Sequence, residues 1–317
     1  MASTLSIELL DYVFGAVQVH DAHYRMKEPF TAEFPALPDG TLEITGRTDV
    51  GLIREHNEDS FLFGDLVSGK RIRENDSPRL KVEAVPSVMM VADGVGGAAS
   101  GEIASSMATD IAYTYLRERW QRGGLKGTVI VADALQQALF AANKAIHARA
   151  VEQRTHHGMG TTATLALTVN GMIYFAQVGD SRAYIIREGA AKQMTKDQSL
   201  VQRMVDAGKM TQEQAEKSEH RNIILQALGP EEAVVPELTR DRLMDGDIVL
   251  LCSDGLSNQV TAAEIVQTAS EISDIDAMAH ALVQRALDTG APDNVTVVAA
   301  RFTTDKTNSE KPTKPAA

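Results

Sequence analysis

The chain has 317 residues, 44% of them hydrophobic, enough for one large domain or two ordinary ones around a buried core. Its 31 Lys and Arg against 43 Asp and Glu leave a formal net charge of −12. That argues against nucleic acid as a partner, because neutralising phosphates takes clustered basic side chains. A single cysteine, Cys252, excludes an internal disulfide and fits a reducing cytoplasm.

In chain order, residues 1–40 begin with Ile7, Leu10, Val13, Phe14 and Val17 at helical spacing and continue into the Pro-rich KEPFTAEFPALPDG. They read as an N-terminal extension with a linker or docking strand. The start lacks a basic segment and carries Glu8 and Asp11, so no signal peptide is expected. No run of 18 apolar residues occurs, so no membrane span is expected either. LEITGRTDVG (42–51) and EDSFLFGD (58–65) read as strands joined by a polar loop, and AVPSVMMVAD (84–93) as a buried strand. Two helical stretches follow, 101–120 and 131–153, the second with Leu135, Leu139, Ala142 and Ile146 on one stripe. Strands then cluster at 161–169, 172–180 and 183–189, and Asn170-Gly171 between the first two is a hairpin signal.

Short helices are expected in 197–228, where Thr211 and Gln214 have capping-box spacing. DGDIVLLCSD (245–254) is a strand, 261–272 and 274–290 are helices, the latter stopped by Gly290, and NVTVVAARF (294–302) is the last strand. Residues 304–317, polar and rich in Lys and Pro, read as a disordered tail. The hairpins point to antiparallel sheets and the helices arrive in two pairs. The pattern is therefore one domain of two packed sheets flanked by helices.

VMMVADGVGG (88–97) poses the functional question. Continued to Ala99 it spells Gly94-x-Gly96-x-x-Ala99, close to the turn that binds dinucleotides. Against that, Asp93 would set a negative charge beside the pyrophosphate, and the regular strand–helix alternation of such folds is missing. Aspartates recur at strand ends: Asp93-Gly94, Asp254-Gly255, Asp180 and Asp293, with Glu58-Asp59 upstream. Any one Asp-Gly is best read as a turn. Several carboxylates gathered at rigid strand ends need a cation to stay ionised together, and all-oxygen ligands favour Mg²⁺ or Mn²⁺ over Zn²⁺. Arg54, by position alone, reads as a salt-bridge partner of Glu55 or Glu58. Cys252 lacks the arginine that a cysteine phosphatase needs, Asn258 standing six residues on, and reads as a buried strand residue. GLKGTV has no Gly-Lys-Ser/Thr ending, and His56, His156 and His157 read as loop residues.

With DVGLIREHNEDSF, VMMVADGVGG, GMGTTATLAL, VGDSRAYIIREG, MTKDQSLV, LLCSDGLS and APDNVTV in order, residues 41–303 resemble the metal-dependent Ser/Thr protein phosphatases of the 2C type (PPM family), bacterial branch. The resemblance implies an α+β fold, a central antiparallel β-sandwich flanked by helix pairs on both faces. It implies hydrolysis of phosphoserine and phosphothreonine by attack of a hydroxide bridging two Mn²⁺ or Mg²⁺ ions. Asp93 then matches the carboxylate that bridges the ions, and Gly94 the carbonyl ligand. Asp254 and Asp293 match further metal ligands. Asp59 counts with the ligands and Glu58 acts through water. Asp180 and Asp254 match the ligands of a third, weaker ion, and Arg54 the grip on substrate phosphate.

Residues 197–228 match the flap beside the active site. Two departures stand out: Val95 where some relatives carry a histidine proposed as general acid, and Gln198 where the TKD motif often continues with His. The resemblance implies a monomeric cytoplasmic enzyme. It would act on phosphorylated proteins, opposing a bacterial Ser/Thr kinase, with no nucleic-acid or membrane partner. The competing reading is a silent relative that binds phosphoprotein without turning it over. Arg54, Asp93, Asp254 and Asp293 together favour the enzyme.

Overall fold

The computed structural model describes residues 40–73, 79–83, 86–96, 98–125, 127–152 and 158–304. The first half holds β1 (Gly40–Asp49), β2 (Asp59–Asp65), β3 (Arg71–Ile72), β4 (Leu80–Glu83) and β5 (Ser87–Val95). Next come the long helices α1 (Ala98–Gln121) and α2 (Thr128–Glu152), then β6 (Gly160–Thr161), β7 (Ala163–Val169), β8 (Met172–Val178), β9 (Arg182–Arg187) and β10 (Ala190–Gln193). Short helices α3 (Leu200–Asp206) and α4 (Gln212–Glu216) lead to β11 (Glu237–Arg242) and β12 (Ile248–Cys252). Helices α5 (Asp254–Ser257), α6 (Ala262–Glu271) and α7 (Ile275–Asp288) precede β13 (Val295–Thr304). The expected extension over 1–39 and the tail from 305, with His156 and His157, lie outside the described residues. Gly40 and Thr304, read with those terminal segments, instead pair with each other at the ends of β1 and β13.

The strands form two sheets, β10-β9-β12-β13-β1-β4 and β11-β8-β7-β5-β2-β3, with β6 attached to β5. Every ladder is antiparallel. This removes the dinucleotide reading, which requires a parallel βαβ unit at the glycine turn. Three apolar layers follow from a period of two along each strand. In β5, Met89 and Val91 face the layer between the sheets, while Val88, Met90 and Ala92 face α1 and α2. In β12, Val249 and Leu251 face inward, and Ile248, Leu250 and Cys252 face the layer under α6 and α7. Helices cover both outer faces, so these strands read as unbroken apolar runs rather than as alternating ones.

Local signals hold where the backbone alone decides them. Asn170 and Gly171 both take positive φ, 51° and 72°, as a two-residue hairpin turn between β7 and β8 requires. Capping boxes start α4 at Thr211 and α6 at Thr261. What differs is partnership. β1 and β2, consecutive in sequence, belong to different sheets, so the loop 50–58 crosses from one sheet to the other. β3, β4, β10 and β11 escape the apolar pattern because they are short or charged edge strands, β11 reading ELTRDR.

Candidate active site

The crossing loop, the ends of β5 and β8, the start of α5 and the loop before β13 meet at one end of the sandwich. There a cavity of about 260 Å³ is lined by Arg54, Glu58, Asp93, Gly94, Val95, Gly96, Thr162, Asp180, Asn222, Ile224, Asp254, Asp293 and Asn294. Thus Arg54, Glu58, Asp93, Gly94, Asp180, Asp254 and Asp293 share one pocket. Asp59, also anticipated, is buried beside it and pairs with Asp93 across the β2–β5 ladder.

Each acid is held by a different device. Asp93 lies within β5, its N–H donating to Thr162 Oγ1 at 3.0 Å, while Thr162 N donates to Asp93 O at 2.8 Å. Asp59 Oδ2 accepts from Ser253 Oγ at 2.7 Å, and Ser253 Oγ in turn accepts from Thr296 N. Asp254 does not end a strand but opens α5, and its Oδ2 accepts from Asn258 Nδ2 at 3.0 Å. Gly255 after it is required by packing, since a Cβ there would run into the Asn294 carbonyl. Gly94 is required likewise: a Cβ would strike the Gly101 backbone and the Glu58 carbonyl. Asp180 sits in the β8–β9 turn after Gly179, whose φ is +104°.

Arg54 is half-exposed, and its Nη2 donates to Asp293 Oδ2 at 2.7 Å, rather than pairing with Glu55 or Glu58. That bond and the surrounding carboxylates hold its guanidinium firmly charged.

Crowded, buried carboxylates resist ionising. Burial, then the charges of Asp254 and Asp293, push Asp59 up to about 7, against hydrogen bonds from Thr296 and Ser253. Burial first, then the neighbouring aspartates, hold Asp93 and Asp180 well above the usual range. Asp254 rises through burial and the Asp293 charge, opposed by a hydrogen bond with Asp93, and burial raises Glu58. Asp59 Oδ1 and Asp254 Oδ1 are buried with no hydrogen-bond partner. Two unpartnered carboxylate oxygens, one in the acidic pocket and one buried beside it, fit a hard divalent cation, which takes oxygen donors and neutralises the charge. Among the described residues no three His, Cys, Asp or Glu side chains close into a ready-made cage. Mg²⁺-like ions keep several waters and need only one or two carboxylates each, so the donor set fits them without a cage.

Several site residues carry no signal as isolated letters. Asn294 fastens the crossing loop: its Oδ1 accepts from Glu58 N at 2.8 Å, and its Nδ2 donates to the carbonyls of Val50 and His56. Thr162 and Ser181 share a 2.7 Å hydroxyl contact beneath Asp93. Gln198 is a clamp: its Oε1 accepts from Gly179 N at 2.9 Å and its N donates to Gly179 O at 2.9 Å, just before Asp180. Both Asn294 and Thr162 lie inside quoted motifs, APDN and GMGTT, and the motif is the only sequence signal that could have found them. Cys252 faces the layer under α6 and α7, away from the pocket, and burial pushes its thiol up to about 12.

Known proteins share the sequence pattern and the fold. A family model described as protein phosphatase 2C matches residues 71–289. The serine/threonine protein phosphatase PstP of Mycobacterium tuberculosis is 37% identical over 259 residues, 82% of this chain and 45% of its own length. The chain therefore spans about half of that relative. The serine/threonine phosphatase stp of Listeria innocua is 32% identical over 80% of this chain and 92% of its own. Among solved structures, the serine/threonine phosphatase Stp1 from Staphylococcus aureus superposes with a TM-score of 0.72 at 32% identity, over 85% of this chain and 99% of that one. The catalytic domain of PstP in complex with two manganese ions gives 0.67 at 34% identity, over 83% and 99%. These folds share the two-sheet α+β architecture.

Proposed function

The chain belongs to the protein phosphatase 2C family, and we propose that it is a metal-dependent protein serine/threonine phosphatase, its phosphatase domain spanning about residues 41–303. The observation that carries this reading is the gathering of Asp93, Asp254 and Asp293 with Arg54 in one pocket, Asp59 buried beside it, and one buried oxygen each of Asp59 and Asp254 unpartnered. Asp93, Asp59, Asp254, Asp293 and the Gly94 carbonyl would hold two Mn²⁺ or Mg²⁺ ions, with Glu58 acting through water. Asp180 and Asp254 would hold a third, weaker one. When bound, such ions supply Lewis acidity toward phosphoryl oxygens and a nucleophilic water at neutral pH.

The chain's own residues do the rest. Arg54, a permanent cation with a planar fork of donors, binds the phosphate and balances charge on its equatorial oxygens. Arg54, half-exposed and bonded to Asp293 in this structure, would turn its guanidinium from that carboxylate to the substrate phosphate. Asn294 keeps the crossing loop in place so that Arg54 and Glu58 hold their positions. Val95 has no proton to give, and no His, Lys, Cys or Tyr lines the pocket among the described residues. With no donor at position 95, the leaving alkoxide would take its proton from water. The substrates are phosphorylated proteins made by a bacterial Ser/Thr kinase, the enzyme acting as a cytoplasmic monomer. Among the described residues no helix is long and apolar enough to cross a membrane.

Hydrolysis of p-nitrophenyl phosphate tests the reading. Turnover should appear with Mn²⁺ and vanish with EDTA. A folded protein that hydrolyses nothing with Mn²⁺ would overturn it.

A further inference from the structure

Directly before Arg54 stand two large apolar side chains in water, Leu52 and Ile53, 62% and 71% exposed. Their segment is tied down on both sides. Leu52 N donates to Ala291 O at 3.0 Å, Gly51 N to Asp49 Oδ1 at 2.8 Å, and Asn294 Nδ2 to Val50 O at 2.9 Å. Gly51 has a φ of +77°, and a Cβ there would collide with the Asp293 carbonyl. Isolated exposed apolar residues need no explanation. An adjacent pair on a pinned turn, next in the chain to Arg54, which lines the pocket, is a preorganised contact surface at its rim. The occupant must be continuous with whatever fills that pocket. Glu55, Glu58 and Asp293 around it disfavour an acidic neighbour, since like charges brought together cost free energy.

Resting on the reading above, we propose that Leu52 and Ile53 form a subsite for an apolar side chain of the phosphoprotein substrate. That side chain lies within about three residues of the phosphorylated one, because the pair adjoins Arg54 in the chain and an extended peptide advances about 3.3–3.6 Å per residue. The contact is made equally in the bound substrate and in the transition state. It therefore acts on KM and leaves kcat nearly level.

The test is a set of phosphothreonine peptides carrying Leu or Gly at each of the three positions on either side. The readout is the ratio of kcat/KM for the best Leu peptide to that for the Gly peptide. Wild type should show a ratio of about ten, the low end for one apolar contact in an enzyme site, arising in KM. The Leu52→Ser/Ile53→Ser double variant should bring it to about one. Ile53→Lys alone, at a solvated position, should lower the ratio too and guards against misfolding of the double variant. Val129→Ser/Ile130→Ser, an exposed apolar pair at the start of α2, should leave the ratio at its wild-type value. Equal Leu and Gly peptides in wild type, a ratio that survives both rim variants, or its loss in the α2 control would overturn the subsite. Failure of wild type on p-nitrophenyl phosphate would instead overturn the phosphatase reading.

Discussion

At the scale of single residues, the site is a set of acids held in places where acids are unfavourable. Asp93 is the most enclosed by like charge: Asp59, Asp254, Asp180 and Asp293 all act on it. Asp93→Asn keeps the volume and the backbone bonds to Thr162 while removing one charge. Turnover of p-nitrophenyl phosphate with Mn²⁺ should fall by about a hundredfold or more, the scale of losing one preorganised electrostatic group. In EDTA at pH 8 the same variant should melt at or above the wild-type temperature, because an unpaired buried charge has gone. Wild-type turnover in this variant would mean that the metal assignment is wrong. Of the site, the aspartates were legible as acids recurring along the sequence, and Arg54 only through the motif around it. Asn294, Thr162 and Ser253 were not singled out, since they act only on neighbours remote in the chain.

At the scale of elements, the segment that leads into residues 197–228 is bonded firmly to the sheets. From Thr195 to Ser199 every residue bonds back to the sheets or caps a helix. Thr195 Oγ1 accepts from Ala183 N, Lys196 N donates to Gln177 Oε1, Asp197 pairs with Arg182, and Ser199 caps α3. Gln198 joins three separate loop segments, holding Gly179, Val235 through its Nε2, and Leu225 through its carbonyl. Gln198→Ala should leave the Gly179 N–H unmet, a loss of about 1–3 kcal/mol. Amide hydrogen exchange at Gly179 and Leu225 should quicken accordingly, and unchanged exchange would show that the clamp carries no weight. Helix starts and the Asn170-Gly171 turn were legible because their causes lie within four residues. The short strands β3, β4, β10 and β11 were not, because what makes them strands is the neighbour they pair with.

At the scale of the whole molecule, the pocket trades stability for chemistry. The pKa of Asp59 is raised to about 7, and those of Asp93, Asp180 and Asp254 are raised as well. A carboxyl with a raised folded-state pKa contributes stability that is full below about pH 4 and is lost as the pH climbs through its folded value. Metal-stripped protein should therefore melt at a lower temperature at pH 8 than at pH 5. Asp59 alone sets a scale on the order of 4 kcal/mol. Saturating Mn²⁺ should raise the melting temperature more at pH 8 than at pH 5, since cations and protons compete for the same oxygens. Chelated protein that is more stable at pH 8 would contradict the charge crowding described here.

The sequence by itself determined the long strands and helices, the Thr211 cap and the Asn170-Gly171 turn, the buried character of the central strands and the identity of the acids. All of these depend on side-chain period and on contacts a few residues apart. Only the tertiary structure decided that β1 and β2 part into different sheets, that Arg54 meets Asp293, and that Asp254 opens a helix. It also decided that acids from five separate segments close on one cavity. Those outcomes depend on which apolar faces stack against each other, and on backbones that approach closely only where Gly94 and Gly255 leave room.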